Sequence, residues 1–547
     1  MNAPGRGRRV ATPLLLLAIT LLGAGLRFYA IGQKGLWLDE AFSVWLGWQR
    51  LPEMWGWISR IDQHPPLYYT LLNLWMRLGD DAGTVRLLSA VAGTLTVPVI
   101  FLFGRRLAGP GTGILAALVL AVSPFHVRFA QEARMYALLA LTAAAAMACL
   151  AYVLSQVPTT RNSILSWPGP GVAPARPGKP PVHRGEGAVA GGWPHRLSWI
   201  GYVVFTAAAM LTHSAALLLL LAANLFVFGL MWQRRKPSLY PQSGDAVSAA
   251  RFEPPSLRCW LLAQAGVLLL WGVIWLPAFL AQAGRVYREF WLPAPTWRSV
   301  VDLLGNFLSA HLPRQQMPWL DVVWVVFAAS LALGVAALRR RPAVLALLLT
   351  LFLTPLVGEL LLSLRRPLFY DQTLIWVTIP LYVLLAAGIA ALRRRPYILA
   401  LAAILVAANV VSLREYYVHY GKQGWREAAA YVSQQARPGD LILFNASWTQ
   451  IPFDFYYRET GKPLSEHGLP ADLFDRGILE PKMAPEDLPR LGELIRDRER
   501  VWLVYSHDWY TDPQGLIPAA LTRALTPVER HTYEGLEVRL YEGAHGN

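Results

Sequence analysis

Only two cysteines, Cys149 and Cys259, occur in 547 residues, and both lie inside apolar stretches. Their scarcity excludes a disulfide framework and a Cys-based zinc site. Charge is scarce too: Asp, Glu, Lys and Arg make up 16% of the chain against 54% hydrophobic residues, among them 22 Trp. A disordered or fibrous chain is excluded by that balance, and an ordinary soluble domain does not fit it. Acidic residues are the scarcer sign, 35 against 50 Lys and Arg, which leaves a net charge of +15. Such an excess serves either phosphate binding on nucleic acid or the retention of membrane loops on the cytoplasmic side. Where the charges sit decides between the two.

Runs long enough to cross a bilayer as helices recur from residue 10 to residue 413. Eleven are predicted: 10–31, 84–104, 110–127, 136–155, 197–213, 214–232, 257–280, 319–338, 343–363, 374–392 and 397–413. Arg6, Arg8 and Arg9 before the first run resemble a signal peptide, yet the run continues to about Ile31 without a small-x-small cleavage site, so it reads as a retained span. With the N-terminus inside, alternate threading puts Arg105-Arg106, Arg234-Arg235-Lys236, Arg339-Arg340-Arg341 and Arg393-Arg394-Arg395 together on the cytoplasmic side. The Pro/Gly-rich segment 156–196 falls there as well and reads as a linker without a core. Segments 32–83, 128–135, 281–318 and 364–373 fall outside, as does the tail 414–547. That tail holds 15 Lys/Arg against 20 Asp/Glu and alternates helix-like and strand-like pieces: Trp425–Gln435, Asp440–Phe444, Val501–Tyr505 and Leu536–Tyr541. A small extracytoplasmic α/β domain is the expectation. The expected class is therefore an α-helical polytopic membrane protein, residues 1–413, carrying that domain on its outer face. Residues 1–413 carry +20 and the tail −5. Most of the excess thus sits in topology-setting clusters, which removes nucleic acid as a partner.

Ionisable groups at the membrane surface are costly and point to function. Trp37-Leu38-Asp39-Glu40 follows the first span and sets two adjacent carboxylates among apolar residues, a setting that suits proton transfer. Asp39 also reads as a helix N-cap, since an amphipathic helix through Trp48 follows it. In the same loop His64-Pro65-Pro66-Leu67-Tyr68-Tyr69 holds a histidine before a Pro-started helix, where it binds a phosphate or bonds locally. After the third span come Gln131-Glu132-Ala133-Arg134-Met135-Tyr136-Ala137-Leu138. As a helix this would put Glu132 and Tyr136 on one face and Arg134 elsewhere, with headgroup snorkelling of Arg134 as the other reading. Arg365 and Arg366 lie on the side where basic residues are otherwise sparse, which suggests an anion there, phosphate foremost. His213 at a turn reads as a structural hydrogen-bonding group, and Trp291, Trp297 and Trp319 as interface anchors. No cluster has metal-ligand spacing, so neither a metal nor a cofactor is expected.

These three motifs, in order, resemble those of the GT-C membrane glycosyltransferases, in particular the glycosyltransferase family 39-like group that includes protein O-mannosyltransferases and the lipid A aminoarabinose transferase. The resemblance is strong over about residues 10–150 and loose to 413. It implies transfer of a sugar, with inversion, from a polyprenyl-phosphate carrier to a hydroxyl acceptor on a lipid, glycan or protein at the outer face of the cytoplasmic membrane. Asp39 then corresponds to the general base, and Glu40 assists by orienting Asp39 or the acceptor. His64, Glu132, Arg134, Tyr136, Arg365 and Arg366 are the expected substrate-binding residues. The chain departs from the family at two points: His64 stands where the aminoarabinose transferase has a phosphate-contacting lysine, and Gln372-Thr373 where many relatives have an Arg-Tyr pair. A transporter or flippase of lipid-linked saccharides is the alternative from another class, and an O-antigen ligase-type enzyme using a diphosphate-linked donor is a third.

Overall fold

The computed structural model describes residues 6–61, 64–155, 193–235, 252–285, 294–309, 322–365, 367–392, 394–458, 463–473, 475 and 481–543. Segment 156–192, Arg366, Trp291 and Trp319 lie outside the described residues. α1 (Arg6–Phe28) leads into a loop built from three short helices, α2 (Leu38–Trp48), α3 (Leu51–Arg60) and α4 (Leu67–Trp75). Long apolar helices follow: α5 (Ala82–Ala108), α6 (Pro110–Ala121) with α7 (Pro124–Ala130), α8 (Tyr136–Leu154), α9 (Trp193–Thr212), α10 (Leu217–Arg235) and α11 (Leu257–Arg285). After the amphipathic α12 (Trp297–Ser309) come α13 (Val322–Leu338), α14 (Pro342–Ser363), α15 (Thr378–Ala390) and α16 (Arg395–Val418).

Each of the eleven predicted spans coincides with a helix or a bent pair of helices. Among the described residues, eight are long and apolar enough on their own to cross a membrane and α6 with α7, bent by 59°, makes a ninth, so eight to nine spans stand where eleven were expected, with α13 too short to be one of them. The bend has a local cause: Pro124 cannot donate the N–H that would continue α6, and Ser123 takes over as the cap of α7. The 17-residue α13 packs against α15 through backbone-to-backbone contact. There a Cβ on Gly388 would stand 2.0 Å from the Ser330 carbonyl oxygen, and one on Gly334 2.1 Å from that of Leu384.

Beyond α16 the chain changes character. α17 (Trp425–Gln435), β1 (Leu441–Asn445), α18 (Gln450–Tyr457), β2 (Ser465–Leu469), α19 (Leu488–Ile495), β3 (Arg500–Tyr505), α20 (Asp508–Thr511), α21 (Leu516–Ala524), β4 (Thr526–Tyr533) and β5 (Leu536–Glu542) form one α/β unit. Its sheet runs β2-β1-β3-β5-β4, with β1 parallel to both β2 and β3, and β5 antiparallel to β3 and β4. Alternate residues of β1 and β3 face two separate cores. Ile442, Phe444, Trp502 and Val504 pack with α17, whereas Leu441, Leu443, Val501 and Leu503 pack with α19 and α21.

This unit is seated on the first loop. The Leu36 N–H donates to the Tyr456 hydroxyl at 2.6 Å and the Leu38 N–H to Gln423 Oε1 at 3.1 Å. Lys34 Nζ donates to the Tyr420 carbonyl at 2.5 Å, and Arg458 pairs with Asp80 at 2.9 Å while lying 4.1 Å above the Trp48 ring. Substitution Gly388→Val is expected to force α13 and α15 apart, an overpacking cost of about 1–3 kcal/mol. The check is thermal unfolding in detergent, where a lower midpoint is the expected result and an unchanged one contradicts the close approach.

Candidate active site

α2 opens from an extended Trp37, and its first two acidic residues take opposite fates. Successive side chains on a helix diverge by about 100°, so Asp39 and Glu40 cannot face the same surroundings. Glu40 turns inward and is fully buried. Arg86, one turn into α5, reaches it with two parallel bonds of 2.7 Å, and Lys422 adds a third of 2.7 Å from the C-terminal unit. The Ala133 N–H donates to the same carboxylate at 2.8 Å. Arg86 is further fixed on the carbonyls of Ile31, Lys34 and Gly35, each at 2.8 Å. One carboxylate thereby ties together the first loop, α5, the 131–135 turn and the start of the C-terminal unit. Burial alone would raise its pKa, but Arg86 and Lys422 outweigh that and hold it at about 2. Burial lowers the pKa of Lys422, an effect that Glu40 and Glu132 partly offset.

Asp39 faces the other way, with its side chain about one third exposed. Arg134 stands beside it, Nη2 lying 3.7 Å from Asp39 Oδ2. The same guanidinium is oriented by Tyr69 at 3.2 Å and by Ser43 and the Asp39 carbonyl at 3.4 Å. It also bonds the Tyr136 side chain. Tyr136 in turn touches His213, 6.3 Å between ring centroids, and His213 touches His64 at 5.3 Å. His213 caps the turn after α9 by accepting from the Ala215 N–H at 3.1 Å, so the structural hydrogen bond and the place beside the site coexist. Asp39, Arg134, Tyr136, His213 and His64 thus form one continuous group.

Glu132 and Tyr136 do not share a helix face. Residues 131–135 form a turn between α7 and α8, pinned by the Ala133 bond to Glu40, and the helix begins only at Tyr136. Tyr136 consequently sides with Arg134, while the buried Glu132 sides with Arg128 at 3.5 Å and Lys422 at 3.9 Å. Asp39 is not the cap of α2 either, because Trp37 holds that position. Arg365 is exposed at the end of α14, and no contact among the described residues joins it to Asp39. Besides Arg86, two basic residues that sequence reasoning passed over pair with the buried carboxylates. Lys422 is one. Arg128 is the other, lying over Phe129 and Tyr420 at 5.1 and 4.9 Å and facing Tyr370 and Asp371. Among the described residues, no three His, Cys, Asp or Glu are grouped to hold a metal ion.

The comparisons with known proteins bear on the fold that carries this geometry. The sequence profile of the dolichyl-phosphate-mannose-protein mannosyltransferase family matches residues 63–173, the stretch that contains His64, Glu132, Arg134 and Tyr136. ArnT from Cupriavidus metallidurans superposes with a TM-score of 0.58 at 15% identity over 97% of this chain and 98% of that one. Its complex with undecaprenyl phosphate gives 0.55 at 15% identity over 96% and 97%. The oligosaccharyltransferase AglB of Archaeoglobus fulgidus, in complex with an inhibitory peptide and a dolichol-phosphate, gives 0.54 at 9% identity over 99% of this chain and 75% of that one. No curated protein sequence matches. The chain is a multi-pass membrane protein with the fold of the GT-C glycosyltransferases. Within that class it resembles both the protein O-mannosyltransferases and the lipid A aminoarabinose transferase.

A depressed carboxyl pKa stabilises the fold above its unfolded value and ceases to do so as pH falls through its folded value. Stability linked to Glu40 is therefore lost between about pH 4.5 and about pH 2. Substitution Glu40→Gln leaves Arg86 and Lys422 buried without their charge partner and is expected to cost about 3–5 kcal/mol. It also removes that segment of the acid dependence. Unfolding midpoints measured against pH check both, and an unchanged acid profile contradicts the assignment.

Proposed function

We propose that the protein transfers a sugar from a polyprenyl-phosphate carrier to a hydroxyl acceptor, with inversion at the anomeric carbon, at the extracytoplasmic face of the cytoplasmic membrane. The observation that carries this reading is the division between the carboxylates. Glu40 and Glu132 are buried in a network of cations, whereas Asp39 is accessible and has a guanidinium beside it. The solved ArnT and AglB structures of the same fold hold undecaprenyl phosphate and a dolichol-phosphate respectively, which supports a lipid-phosphate donor here. The basic clusters that thread to one side support the orientation.

In this reading Asp39 is the general base. It takes the proton of the acceptor hydroxyl as that oxygen forms a bond to the anomeric carbon, and the carbon–oxygen bond to the phosphate breaks on the opposite face. The electron pair leaves with the polyprenyl phosphate. Arg134 neutralises the charge gathering there, with Tyr136 and His64, which belong to the same continuous group, sharing the task. Glu40 acts on α2: by fixing the helix it fixes the direction of Asp39. Glu132 holds Arg128 and Lys422 in place.

Substitution Asp39→Asn in the purified full-length protein is expected to lower the transfer rate by about 10²–10⁴-fold without loss of folded protein. Turnover at the native rate contradicts the assignment of the base. Replacing Arg134 by Gln is expected to raise the KM for the lipid-linked donor as well as lower kcat, because the group serves both binding and departure. Lipid translocation into proteoliposomes without bond cleavage would favour the flippase alternative instead.

A further inference from the structure

The sheet of the C-terminal unit changes direction of strand order at β1. β1 lies between β2 and β3, so the chain leaves β1 to one side and later returns to the other. The crevice beyond the carboxyl ends of β1 and β3 is therefore the point where strand order reverses, a recurrent place for ligands in parallel α/β sheets. Both loops that form it pass through left-handed backbone at residues other than glycine, Ala446 at φ 63° and His507 at φ 55°. Strain of that kind concentrates at binding sites. Trp448 follows Ala446, and its ring lies 6.0 Å from that of His507. The Trp448 indole N–H is buried and has no hydrogen-bond partner among the described residues. Immediately after it, α18 packs along α2, the helix that carries Asp39.

His507 itself lies within electrostatic reach of Asp39. Its tautomer follows from its neighbours. Ser506 donates its hydroxyl proton to the Gly535 carbonyl at 2.7 Å, so the same oxygen accepts from His507 Nδ1 at 3.0 Å. The lone pair is left on Nε2. Burial, partly offset by Asp39 and Asp508, pushes the imidazolium below its usual range, and the ring is neutral near pH 7. A neutral acceptor and a carboxylate thus belong to neighbouring elements: His507 lies beside Trp448, and Asp39 is on the helix that α18 packs along.

We infer that His507 is an acceptor-positioning residue. Its Nε2 receives a hydrogen bond from a second hydroxyl of the molecule whose first hydroxyl Asp39 deprotonates, and the acceptor is a carbohydrate rather than the single hydroxyl of a Ser or Thr side chain. This inference rests on the glycosyl-transfer reading above. The Trp448 N–H offers the complementary donor to an oxygen of the same substrate.

The test uses the full-length protein in nanodiscs with undecaprenyl-phosphate mannose as donor and two acceptor probes, methyl α-mannoside and an N-acetylated serine amide. Mannose transfer to the glycoside is expected to exceed that to the serine amide by about tenfold or more. His507→Phe is expected to raise the glycoside KM about tenfold, the factor one ordinary hydrogen bond supplies, while the donor KM stays within about twofold. His507→Gln, which restores an acceptor oxygen, recovers most of the loss. A native glycoside KM in His507→Phe overturns the proposal, as does preference for the serine amide or donor cleavage with transfer to neither probe. No donor cleavage under any condition removes the glycosyl-transfer reading itself, so the two failures are distinguishable. A second readout is independent of turnover: the pH midpoint at which diethyl pyrocarbonate modifies His507, followed by mass spectrometry. Removing the negative charge in Asp39→Asn moves that midpoint to lower pH, and an unmoved midpoint overturns the juxtaposition.

Discussion

The organisation of this protein depends on a buried carboxylate being fully paired. An isolated ionised carboxyl in an apolar interior is too costly to persist, and Glu40 is tolerated because Arg86, Lys422 and a backbone N–H occupy its lone pairs. Those partners come from parts of the chain that are remote in sequence, one of them 382 residues away. The helix bundle, the first loop and the C-terminal unit therefore meet at one point. Local order propagates from it: Arg86 gathers three carbonyls of the first loop, and the 131–135 turn is held so that Arg134 faces Asp39.

This arrangement explains why two adjacent acidic residues have unlike surroundings. Neighbouring positions on a helix point in different directions, so one side chain can be committed to structure while the next is left to chemistry. Glu40 has its charge fixed and its oxygens occupied. Asp39 keeps solvent access and a guanidinium beside it, surroundings that suit the base proposed for it. In the proposed reaction a phosphate leaving group needs positive charge more than it needs protonation, and the guanidinium of Arg134 beside Asp39 is the group proposed to supply it.

Much of the fold was legible in the sequence because it is written in long apolar runs. Hydropathy located the helices of all eleven expected spans, eight or nine of which are long and apolar enough among the described residues to cross a membrane, and α17, β1, β3 and β5 showed plain periodicity. β2 and β4 did not, since Ser465–Leu469 is polar and half-buried and Thr526–Tyr533 polar and exposed, with no apolar alternation to mark either. The candidate site was legible where a motif was local: Asp39, Glu40, His64, Arg134 and Tyr136 were all singled out as candidates, and the structure places Asp39, Arg134, Tyr136 and His64 in one group. Its long-range members were not. Lys422 sits in an ordinary turn after a span, Arg86 in the first turns of an apolar helix, and Arg128 where a span was expected to end. Nothing at short range marks any of them as partners of Glu40 or Glu132. The helix expected through Glu132 failed for a related reason, because the bond from Ala133 to Glu40 breaks a pattern that local sequence would otherwise support.

A base acting on the acceptor beside an anion-stabilising guanidinium implies one displacement and no covalent sugar–protein intermediate. The most direct measurement is the anomeric configuration of the product, read by proton NMR coupling constants, when the wild-type protein is given a polyprenyl-phosphate sugar of known configuration. A single displacement at Asp39 predicts inversion. A product that retains the donor's configuration would contradict the account.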